Sequence, residues 1–420
     1  MDILLVHNHY QQAGGEDGVF ASEARSLAVH GHRVILHEKF NDTIRSRSRL
    51  AVALGTAWNP GAYREMRSLI RKERPQLLHA HNTFPLLSPS IYYAARAEQV
   101  PVVQTLHNYR LLCPNATLFR DGQVCQECTG SRVFWPALKH ACYQGSAAGT
   151  AVVSTMLGLH RWLGTWDRLV DAYIVPTDFG RRMFLQAGLP AHKVFVKPNF
   201  AEDPLVHVQP ARGRKAVFLG RLAPEKGVET MLQAWRQLEG AVPLHIIGDG
   251  PLAELVKRFA SEVPGVVFHG WLDRPAVLEI LRDAAFLVMP STWYEVFGMN
   301  VIEAYSCGLP VIASRIGGLA DIVSDGVTGL HFAPGDSVDL VDKVRWALSH
   351  PLEWDQIGRR ARSEFQLRYT DGSAFKTLMQ VYRAAIGRSS EASLDVRIAT
   401  PSPGVRLIPD GRFRPSGHAA

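Results

Sequence analysis

The chain has 420 residues, of which 46% are hydrophobic and 20% are charged, and its formal net charge is +7. This composition excludes disordered, collagen-like and disulfide-rich secreted proteins, since five cysteines are too few for a disulfide scaffold. Domains of roughly 100–200 residues are the norm, so we expect two domains with sizeable cores.

No segment of the sequence has the character of a membrane span. Residues 1–6 lack the basic region and the long apolar run of a signal peptide. The uncharged stretch at 141–160 contains a glutamine, several hydroxyl side chains and three glycines, so it is predicted to be a buried helix. We therefore expect a soluble, cytoplasmic protein.

The positive charge is concentrated in the first half of the chain, where residues 25–74 contain 11 basic and 4 acidic side chains. This excess predicts a surface that meets phosphate or an anionic membrane, with a peripheral position on the inner membrane face. Residues 45–54 mix arginines with apolar side chains, which fits either a membrane-surface helix or a solvated basic face. No nucleic-acid-binding signature accompanies the charge, so we expect no nucleic acid partner.

Short apolar runs alternate with longer helical stretches from the amino terminus onward. In the first half they lie at residues 3–6, 34–36, 77–78, 102–103 and 173–175, and in the second half at residues 217–219, 245–247, 266–268, 286–289 and 311–313. Runs of this length, rich in Val, Ile and Leu, are typical of buried parallel strands that are joined by helices. Two such series predict two doubly wound α/β domains.

The boundary between the domains is predicted in a polar stretch bounded by prolines, at residues 197–204. The first domain is then expected over 1–199 and the second over 205–370. A helix over 371–388 is expected to return to the first domain. Residues 389–420 lose periodicity and contain several prolines, which predicts a flexible tail.

The strongest motif of the second domain is a pair of glutamates, Glu295 and Glu303, eight residues apart after an apolar run. Glu295 is expected in a loop and Glu303 one turn into the following helix. The backbone amides of Gly298, Met299 and Asn300 would face a phosphate at the start of that helix. Glu303 could then hold a diol such as a ribose. The alternative is that Glu303 makes a surface ion pair and Glu295 caps a turn.

A basic motif follows the first strand of the second domain. Arg221 and Lys226 are separated by a turn that contains proline, so both side chains can project to one side and neutralise a diphosphate. This loop lies at the carboxyl end of a parallel strand, where open α/β sheets bind ligands. Because Arg221, Lys226 and nearby backbone amides could stabilise a leaving diphosphate, no catalytic metal is expected.

Together these motifs resemble the retaining family 4 glycosyltransferases. The resemblance rests on residues 220–227, on the Glu295–Glu303 pair, and on the stretches 307–313, 317–318 and 325–330, and it covers the chain from Met1 to about Ala385. It implies the GT-B architecture, in which two doubly wound domains face a cleft.

The resemblance also implies roles for single residues. In the family, the counterpart of Glu303 holds the ribose of the nucleotide and that of Glu295 contacts the donor sugar. The counterparts of Arg221 and Lys226 contact the diphosphate. One departure is Asp321, because the family often has a glutamate shortly after the Gly–Gly pair.

The amino-terminal domain is expected to supply the other wall of the cleft. Gly14 and Gly15 precede a helix and allow close approach to phosphate or sugar, although an ordinary tight turn is the alternative. His107 follows a strand and could bond a sugar hydroxyl or move a proton. The resemblance places His107 near the donor sugar and the glycine pair near the diphosphate and the acceptor. His81 could line the acceptor pocket, but an isolated histidine is more often structural.

Four of the five cysteines lie in a turn-rich insert at residues 113–142. They are Cys113, Cys125, Cys128 and Cys142. Cys125 and Cys128 have the spacing of a chelating pair, and four thiolates could close a tetrahedral structural zinc site. Reduced thiols without a metal are the alternative. Similar cysteine-bearing inserts occur in a subset of the family that the chain resembles.

The sequence thus predicts a retaining glycosyltransferase that moves a sugar from a UDP- or GDP-linked donor to a glycan or lipid-linked acceptor, in cell-surface polysaccharide biosynthesis. Retention, with the leaving phosphate helping to deprotonate the acceptor, is implied by the resemblance alone. Two alternatives stay open: a sugar-nucleotide epimerase or hydrolase of the same architecture, and a non-catalytic protein that binds sugar nucleotides.

Overall fold

The computed structural model describes residues 1–11, 14–46, 48–131, 133–204 and 213–398, with the backbone alone for residues 45 and 390–398. Arg47 of the basic segment, the first residues of the predicted second domain and the predicted tail beyond residue 398 lie outside the described residues.

The first domain is built on strands that alternate with helices. Its strands are β1 (Asp2–His9), β2 (Arg33–Phe40), β3 (Leu77–Ala80), β4 (Val102–Thr105), β5 (Phe119–Arg120), β6 (Gln123–Val124), β7 (Ala172–Val175) and β8 (Val194–Val196). Its helices are α1 (Gly15–Val29), α2 (Arg49–Ala57), α3 (Pro60–Glu73), α4 (Ser90–Ala97), α5 (Trp135–Lys139), α6 (Ala147–Trp162), α7 (Thr165–Arg168) and α8 (Asp178–Gln186), with 3-10 helices at Asn41–Ser46 and Ala191–Lys193.

The second domain repeats the alternation. Its strands are β9 (Lys215–Leu219), β10 (Leu244–Ile247), β11 (Val266–Gly270), β12 (Ala284–Met289), β13 (Val311–Ser314) and β14 (Gly329–Phe332). Its helices are α9 (Val228–Leu238), α10 (Ala253–Glu262), α11 (Arg274–Arg282), α12 (Met299–Ser306), α13 (Leu319–Ile322), α14 (Ser337–Ser349) and α15 (Pro351–Arg368), with a 3-10 helix at Pro224–Lys226. The last helix is α16 (Asp371–Ile398).

Each domain contains a six-stranded parallel sheet, which confirms the predicted GT-B architecture. The strand orders are β2-β1-β3-β4-β7-β8 and β11-β10-β9-β12-β13-β14. In both sheets the order reverses beside the first strand of the domain, and open α/β sheets bind ligands in the crevice at such a point. The strands are apolar because helices cover both faces of the sheet, as the six consecutive buried residues of β1 show.

Helix α16 leaves the second domain and packs on the sheet of the first. Leu378, Tyr382 and Ala385 share a buried cluster with Ile3 and Leu5 of β1. Its backbone stays helical to Ile398, ten residues beyond the predicted end at residue 388. Residues 389–398 contain neither glycine nor proline, so nothing in that stretch breaks the helix. Among the described helices, none combines the length and the apolar character that crossing a bilayer would require.

Candidate active site

A cleft of about 1490 Å³ opens between the carboxyl ends of the two sheets. Residues of both domains line it, and among them are most of the side chains and glycines that the sequence singles out. They are Gly14, Gly15, His107, Arg221, Lys226, Glu295, Gly298, Met299 and Asn300. The cleft therefore gathers the predicted donor-binding residues of the second domain opposite the predicted residues of the first.

Glu295 and Lys226 form an ion pair in the cleft, in which Glu295 is buried and Lys226 is partly exposed. Lys226 Nζ lies 2.6 Å from Glu295 Oε1, and Ser291 Oγ donates to the same oxygen at 2.8 Å. Burial disfavours the charge on Glu295, but the Lys226 charge and the hydrogen bonds from Lys226 and Ser291 outweigh it, so the pKa of Glu295 is lowered. Lys226 also lies 5.0 Å from the ring centre of Trp293. The pair therefore keeps the Glu295 carboxylate charged inside the cleft.

Glycines bring this pair together. Gly227 has φ +68°, and a Cβ at that position would lie 1.7 Å from Pro290 O, at the end of β12. Only a glycine lets the loop after β9 approach β12 this closely, and that approach carries Lys226 to Glu295. Gly298 has φ +110° immediately before α12, where a Cβ would lie 3.0 Å from Leu319. Asn300 donates its side-chain N–H to Leu219 O and so ties the start of α12 to β9.

Arg221 and Glu303 lie on either side of the pair. Arg221 is exposed on the cleft wall. Glu303 lies one turn into α12, where its side chain is 18% exposed and its Oε1 is 3.8 Å from Arg274 Nε. Burial raises the pKa of Glu303, and the Arg274 charge opposes this rise. Glu303 does not line the cleft itself but faces α11 beyond its rim.

His107 lines the cleft on the side of the first domain and contacts a chain of buried histidines. His81 Nδ1 and His107 Nε2 are 2.9 Å apart, and His81 Nε2 is 3.3 Å from Glu23 Oε1. The two rings share one proton along the Nδ1–Nε2 contact, and either ring can be its donor. Burial, followed by the charge of His81, places the pKa of His107 well below its usual value.

Two family models match adjacent parts of the chain. The model described as "Glycosyltransferase Family 4" matches residues 13–203, and the one described as "Glycosyl transferases group 1" matches residues 200–364. Together the two models span residues 13–364, and both describe glycosyltransferase domains.

Curated relatives carry glycosyltransferase names. The sulfoquinovosyl transferase SQD2 of Arabidopsis thaliana is 35% identical over 76% of this chain and 59% of its own length. The 2-deoxystreptamine glucosyltransferase of Streptomyces kanamyceticus is 29% identical over 73% of this chain and 77% of its own length. The chain spans only 42–59% of the length of the first curated relatives that it matches.

Solved glycosyltransferases share the fold. Anabaena Alr3699/HepE, crystallised with UDP, superposes with a TM-score of 0.65 at 18% identity and covers 91% of this chain and 100% of its own. A glycosyltransferase from Rickettsia africae superposes with a TM-score of 0.66 at 14% identity and covers 91% of this chain and 98% of its own. At these identities the likeness shows the GT-B fold.

Sequence reasoning missed Glu23, which lies at the centre of the histidine chain. Its Oε2 is 2.8 Å from Lys197 Nζ, and its Oε1 is 3.1 Å from His79 Nδ1. Glu23 and Lys197 are each 2% exposed at the side chain. Burial opposes ionisation of Glu23, but the Lys197 charge and the bonds to His79 and His81 hold its pKa well below the usual range.

Sequence reasoning also missed the acidic residues after the glycine pair. Asp17 accepts from Gly14 N at 2.7 Å, and its Oδ1 lies 2.8 Å from His7 Nε2 and 2.9 Å from His9 Nδ1. Glu16, next to it, lines the cleft. The sequence did hold a signal, since two carboxylates directly follow a glycine pair at a helix start.

The cysteine insert reaches the cleft from the first domain. It contains the β5–β6 hairpin, and Gln126 Nε2 donates to Tyr294 OH, beside Glu295, at 2.7 Å. All four cysteines are free. Among the described residues, two histidine–carboxylate groups have ligand atoms within 4.8 Å of one another, and no three of the cysteine sulfurs do.

Asp321 lies at the contact between the domains. It accepts hydrogen bonds from Phe179 N and from Arg182, whose Nη2 is 3.1 Å from Oδ1, and both partners belong to α8 of the first domain. Nearby, Thr177 Oγ1 donates to Val296 O at 3.2 Å. The departure from the family glutamate thus falls on a residue that joins the domains.

Proposed function

We propose that the protein is a retaining glycosyltransferase that moves a sugar from a UDP-linked donor to a hydroxyl of a glycan or lipid-linked acceptor, in cell-surface polysaccharide synthesis. The observation that carries the proposal is the Lys226–Glu295 ion pair, with its buried carboxylate, in a cleft between two parallel sheets. The choice of UDP is supported by Alr3699/HepE, which was solved with UDP and with UDP-glucose.

The second domain would bind the nucleotide. Arg221 and Lys226 present positive charge to the diphosphate, and the amides at the start of α12, from Gly298 to Asn300, add hydrogen-bond donors. Glu303 would hold the ribose, a role that requires it to exchange its distant contact with Arg274 for two hydroxyl groups. Lys226 would turn from Glu295 toward the phosphate when the donor binds.

The sugar would lie between Glu295 and His107. The bond between the anomeric carbon and the phosphate oxygen breaks, the acceptor oxygen bonds to that carbon, and the diphosphate leaves with the electron pair. Arg221 and Lys226 stabilise the charge that develops on the leaving group. The acceptor proton passes to the departing phosphate on the same face of the sugar, which retains its configuration, as the family resemblance implies.

A screen of sugar nucleotides by thermal unfolding tests the donor site. UDP-glucose should raise the melting temperature, since a ligand at 100 times its Kd stabilises by about 2.7 kcal/mol. Lys226→Ala should abolish this shift, and the matched variant Lys257→Ala, which removes an exposed lysine of α10, should keep it. Equal shifts in both variants would contradict the donor site.

Product analysis then separates the proposal from its alternatives. Transfer to an added acceptor, lost by at least about 100-fold in Glu295→Gln, supports a transferase. Release of free sugar with no effect of acceptors indicates a hydrolase, and an isomerised sugar nucleotide indicates an epimerase. A thermal shift without any turnover indicates a binding protein.

The acceptor side suggests contact with an anionic membrane, which we include in the proposal. On α2, Leu50 and Leu54 are 70% and 65% exposed, and Trp162 at the end of α6 is 82% exposed. His160 Nε2 donates to Ala57 O at 2.8 Å, so the two helix ends adjoin. Residues Arg49, Val52, Ala53 and Thr56 of the same α2 line the cleft. A membrane-borne acceptor could therefore reach the cleft along this helix.

Vesicle sedimentation tests the membrane contact. Binding to vesicles with one third phosphatidylglycerol, and not to pure phosphatidylcholine, is expected at low salt. Leu54→Glu should weaken it by an order of magnitude, whereas Leu352→Glu, at an equally exposed leucine of the second domain, should not. Equal loss in both variants would contradict a specific surface.

We also propose that zinc orders the cysteine insert through Cys113, Cys125, Cys128 and Cys142. The thiols are free, and burial followed by the neighbouring thiols raises the pKa of Cys128 to about 11. Zinc would draw in the sulfurs and hold them as thiolates. One zinc per chain, lost in Cys128→Ser and kept in Cys307→Ser, is the expected result of metal analysis. Protein that is purified without chelator and contains no zinc would overturn this assignment.

A further inference from the structure

Two neighbouring carboxylates at the start of α1 have opposite surroundings. Asp17 is bonded by His7, His9 and the backbone of Gly14. Glu16 has one long contact, from Asn108 Nδ2 to its Oε2 at 3.4 Å. Its Oε1 is buried and has no hydrogen-bond partner among the described residues, from which residues 12 and 13 are left out.

An unpartnered buried oxygen is costly. Leaving such a group unsatisfied costs about 1–3 kcal/mol, and the neighbouring Asp17 avoids that cost because both of its oxygens are hydrogen-bonded. Glu16 lines the cleft, beside Asn108, which directly follows His107. A group that is kept unsatisfied at a binding cleft is available to a ligand.

We propose that Glu16 binds the acceptor, and that its Oε1 accepts a hydrogen bond from an acceptor hydroxyl. This inference rests on the proposed transferase function. A carboxylate is unsuited to the anionic diphosphate, whose proposed partners Arg221 and Lys226 lie in the second domain. Glu16 lies in the first domain, on the same cleft as Arg49 and Thr56 of α2. It therefore faces the side from which an acceptor would enter.

The charges around Glu16 make its binding depend on pH. Burial and then the Asp17 charge raise the pKa of Glu16 to about 7, while Arg110 and the Asn108 hydrogen bond oppose the rise. The other titratable neighbours are Tyr10, whose pKa is raised by burial and by Glu16, and Tyr143, which also faces Arg110. The ionised carboxylate, which accepts most strongly, gains population from pH 6 to pH 8.

Stability measurements test the role without an acceptor. The pKa of Glu16 is higher in the folded protein than the ordinary value of 4.5, so the contribution of Glu16 to stability falls as the pH rises from about 4.5 to 7. Glu16→Gln removes this loss, and its urea midpoint at pH 8 should equal or exceed that of the wild type. A lower midpoint would mean that Glu16 is a structural carboxylate and would overturn the inference, whatever the transfer assay gives.

Transfer to octyl β-D-glucoside, with water as the competing acceptor, tests the binding role. Glu16→Gln should raise the KM for the glucoside by about 10-fold or more, keep the thermal shift with UDP-glucose, and lose the fall of KM between pH 6 and pH 8. The control Glu229→Gln, on the exposed face of α9, should behave as wild type. An unchanged KM in Glu16→Gln refutes the acceptor role, whereas a wild type without turnover refutes the proposed function itself.

Discussion

Glu23 is the side chain on which the buried charges of the first domain converge. It contacts Lys197 after β8 and His79 and His81 at the end of β3, and all of these side chains are almost fully buried. Tyr382 OH lies 2.8 Å from His79 Nδ1, so the network extends to α16. The network thus joins the cleft side of the sheet, through His81 and His107, to α16.

We expect Glu23→Gln to lower the free energy of unfolding by about 3–5 kcal/mol, because it leaves the buried Lys197 without a counter-charge. Urea denaturation measures the loss. The matched control is Glu262→Gln, which breaks an exposed pair with Arg236 and should cost less than about 1 kcal/mol. Similar losses in the two variants would show that Glu23 is not the centre of a desolvated network.

The same histidines make the protein sensitive to acid. Burial, followed by the charge of His79, lowers the pKa of His81 to about 4, although Glu23 opposes the shift. The unfolded chain therefore binds a proton at His81 below about pH 6.5 that the folded protein does not bind until about pH 4. The contribution of His81 to stability should therefore decrease as the pH falls from about 6.5 to about 4. In His81→Gln, the slope of the unfolding free energy against pH should decrease by the equivalent of about one bound proton. An unchanged slope would contradict the assignment.

The sequence predicts the residues of the proposed donor site better than it predicts the buried network around Glu23 in the first domain. Lys226 and Glu295 belong to short motifs whose spacing carries chemical meaning, and the structure places both in the cleft. Glu23 and Lys197 lie on elements far apart in the chain, and Lys197 was part of a stretch predicted as a linker. Only the sheet order brings them together, and no local pattern encodes that order.

The loops after β9 and β13 position the proposed donor site through close backbone contacts. The 3-10 helix at Pro224–Lys226 is held against the end of β12 by the lack of a side chain at Gly227. Gly317 and Gly318 do the same for the loop after β13, since Cβ atoms there would lie within 3 Å of backbone atoms of Tyr294 and Glu295. These glycines therefore set the position of Glu295 from two sides.

Gly227→Ala should displace Lys226 from Glu295 and abolish donor-induced thermal stabilisation. The added Cβ meets Pro290 O, whose position β12 fixes, so the loop must move. Gly270→Ala is a matched control, because Gly270 has the same φ of +68° and open space around its Cβ position. It should cost about 1–2 kcal/mol through backbone strain alone and keep the thermal shift. Loss of donor binding in both variants would mean that general strain, and not this contact, is responsible.

Periodicity predicts five of the six strands in each parallel sheet. Each apolar run identified in the sequence falls on a strand of a parallel sheet. The edge strands β2 and β11 were predicted, whereas the edge strands β8 and β14 were not. Strand β8 has only three residues, and β14 contains a glycine and a histidine. The predicted strands alternate with helices in both halves of the chain, and this alternation defines the α/β fold class. The fold class was therefore predicted correctly.

On the scale of the whole molecule, the cleft depends on how the two domains meet. Asp321 of α13 bonds α8 through Phe179 and Arg182, and Gln126 of the cysteine insert bonds Tyr294. These polar contacts are few and lie beside Glu295. Polar contacts between domains permit relative motion, so we expect the cleft to open and close.

Asp321→Ala should loosen this contact and enlarge the radius of gyration of the ligand-free protein in small-angle X-ray scattering. Its partners are partly exposed, so the unfolding free energy should change by no more than about 1 kcal/mol. Saturating UDP should restore the wild-type radius. Asp342→Ala, at an exposed position of α14, provides the control. A radius equal to that of the wild type without UDP would show that Asp321 does not govern closure.

The return of α16 to the first domain has a consequence for how the protein is made. His79 and its partner Tyr382 are 303 positions apart. At about 5–20 residues per second, a ribosome needs about 15–60 s to synthesise the chain between them. In the later part of that interval, once β8 has been made, the nascent first domain has a complete set of strands but lacks the helix that covers Ile3 and Leu5. The first domain therefore cannot bury this apolar surface until α16 has been synthesised, and chaperones are expected to hold it in the meantime.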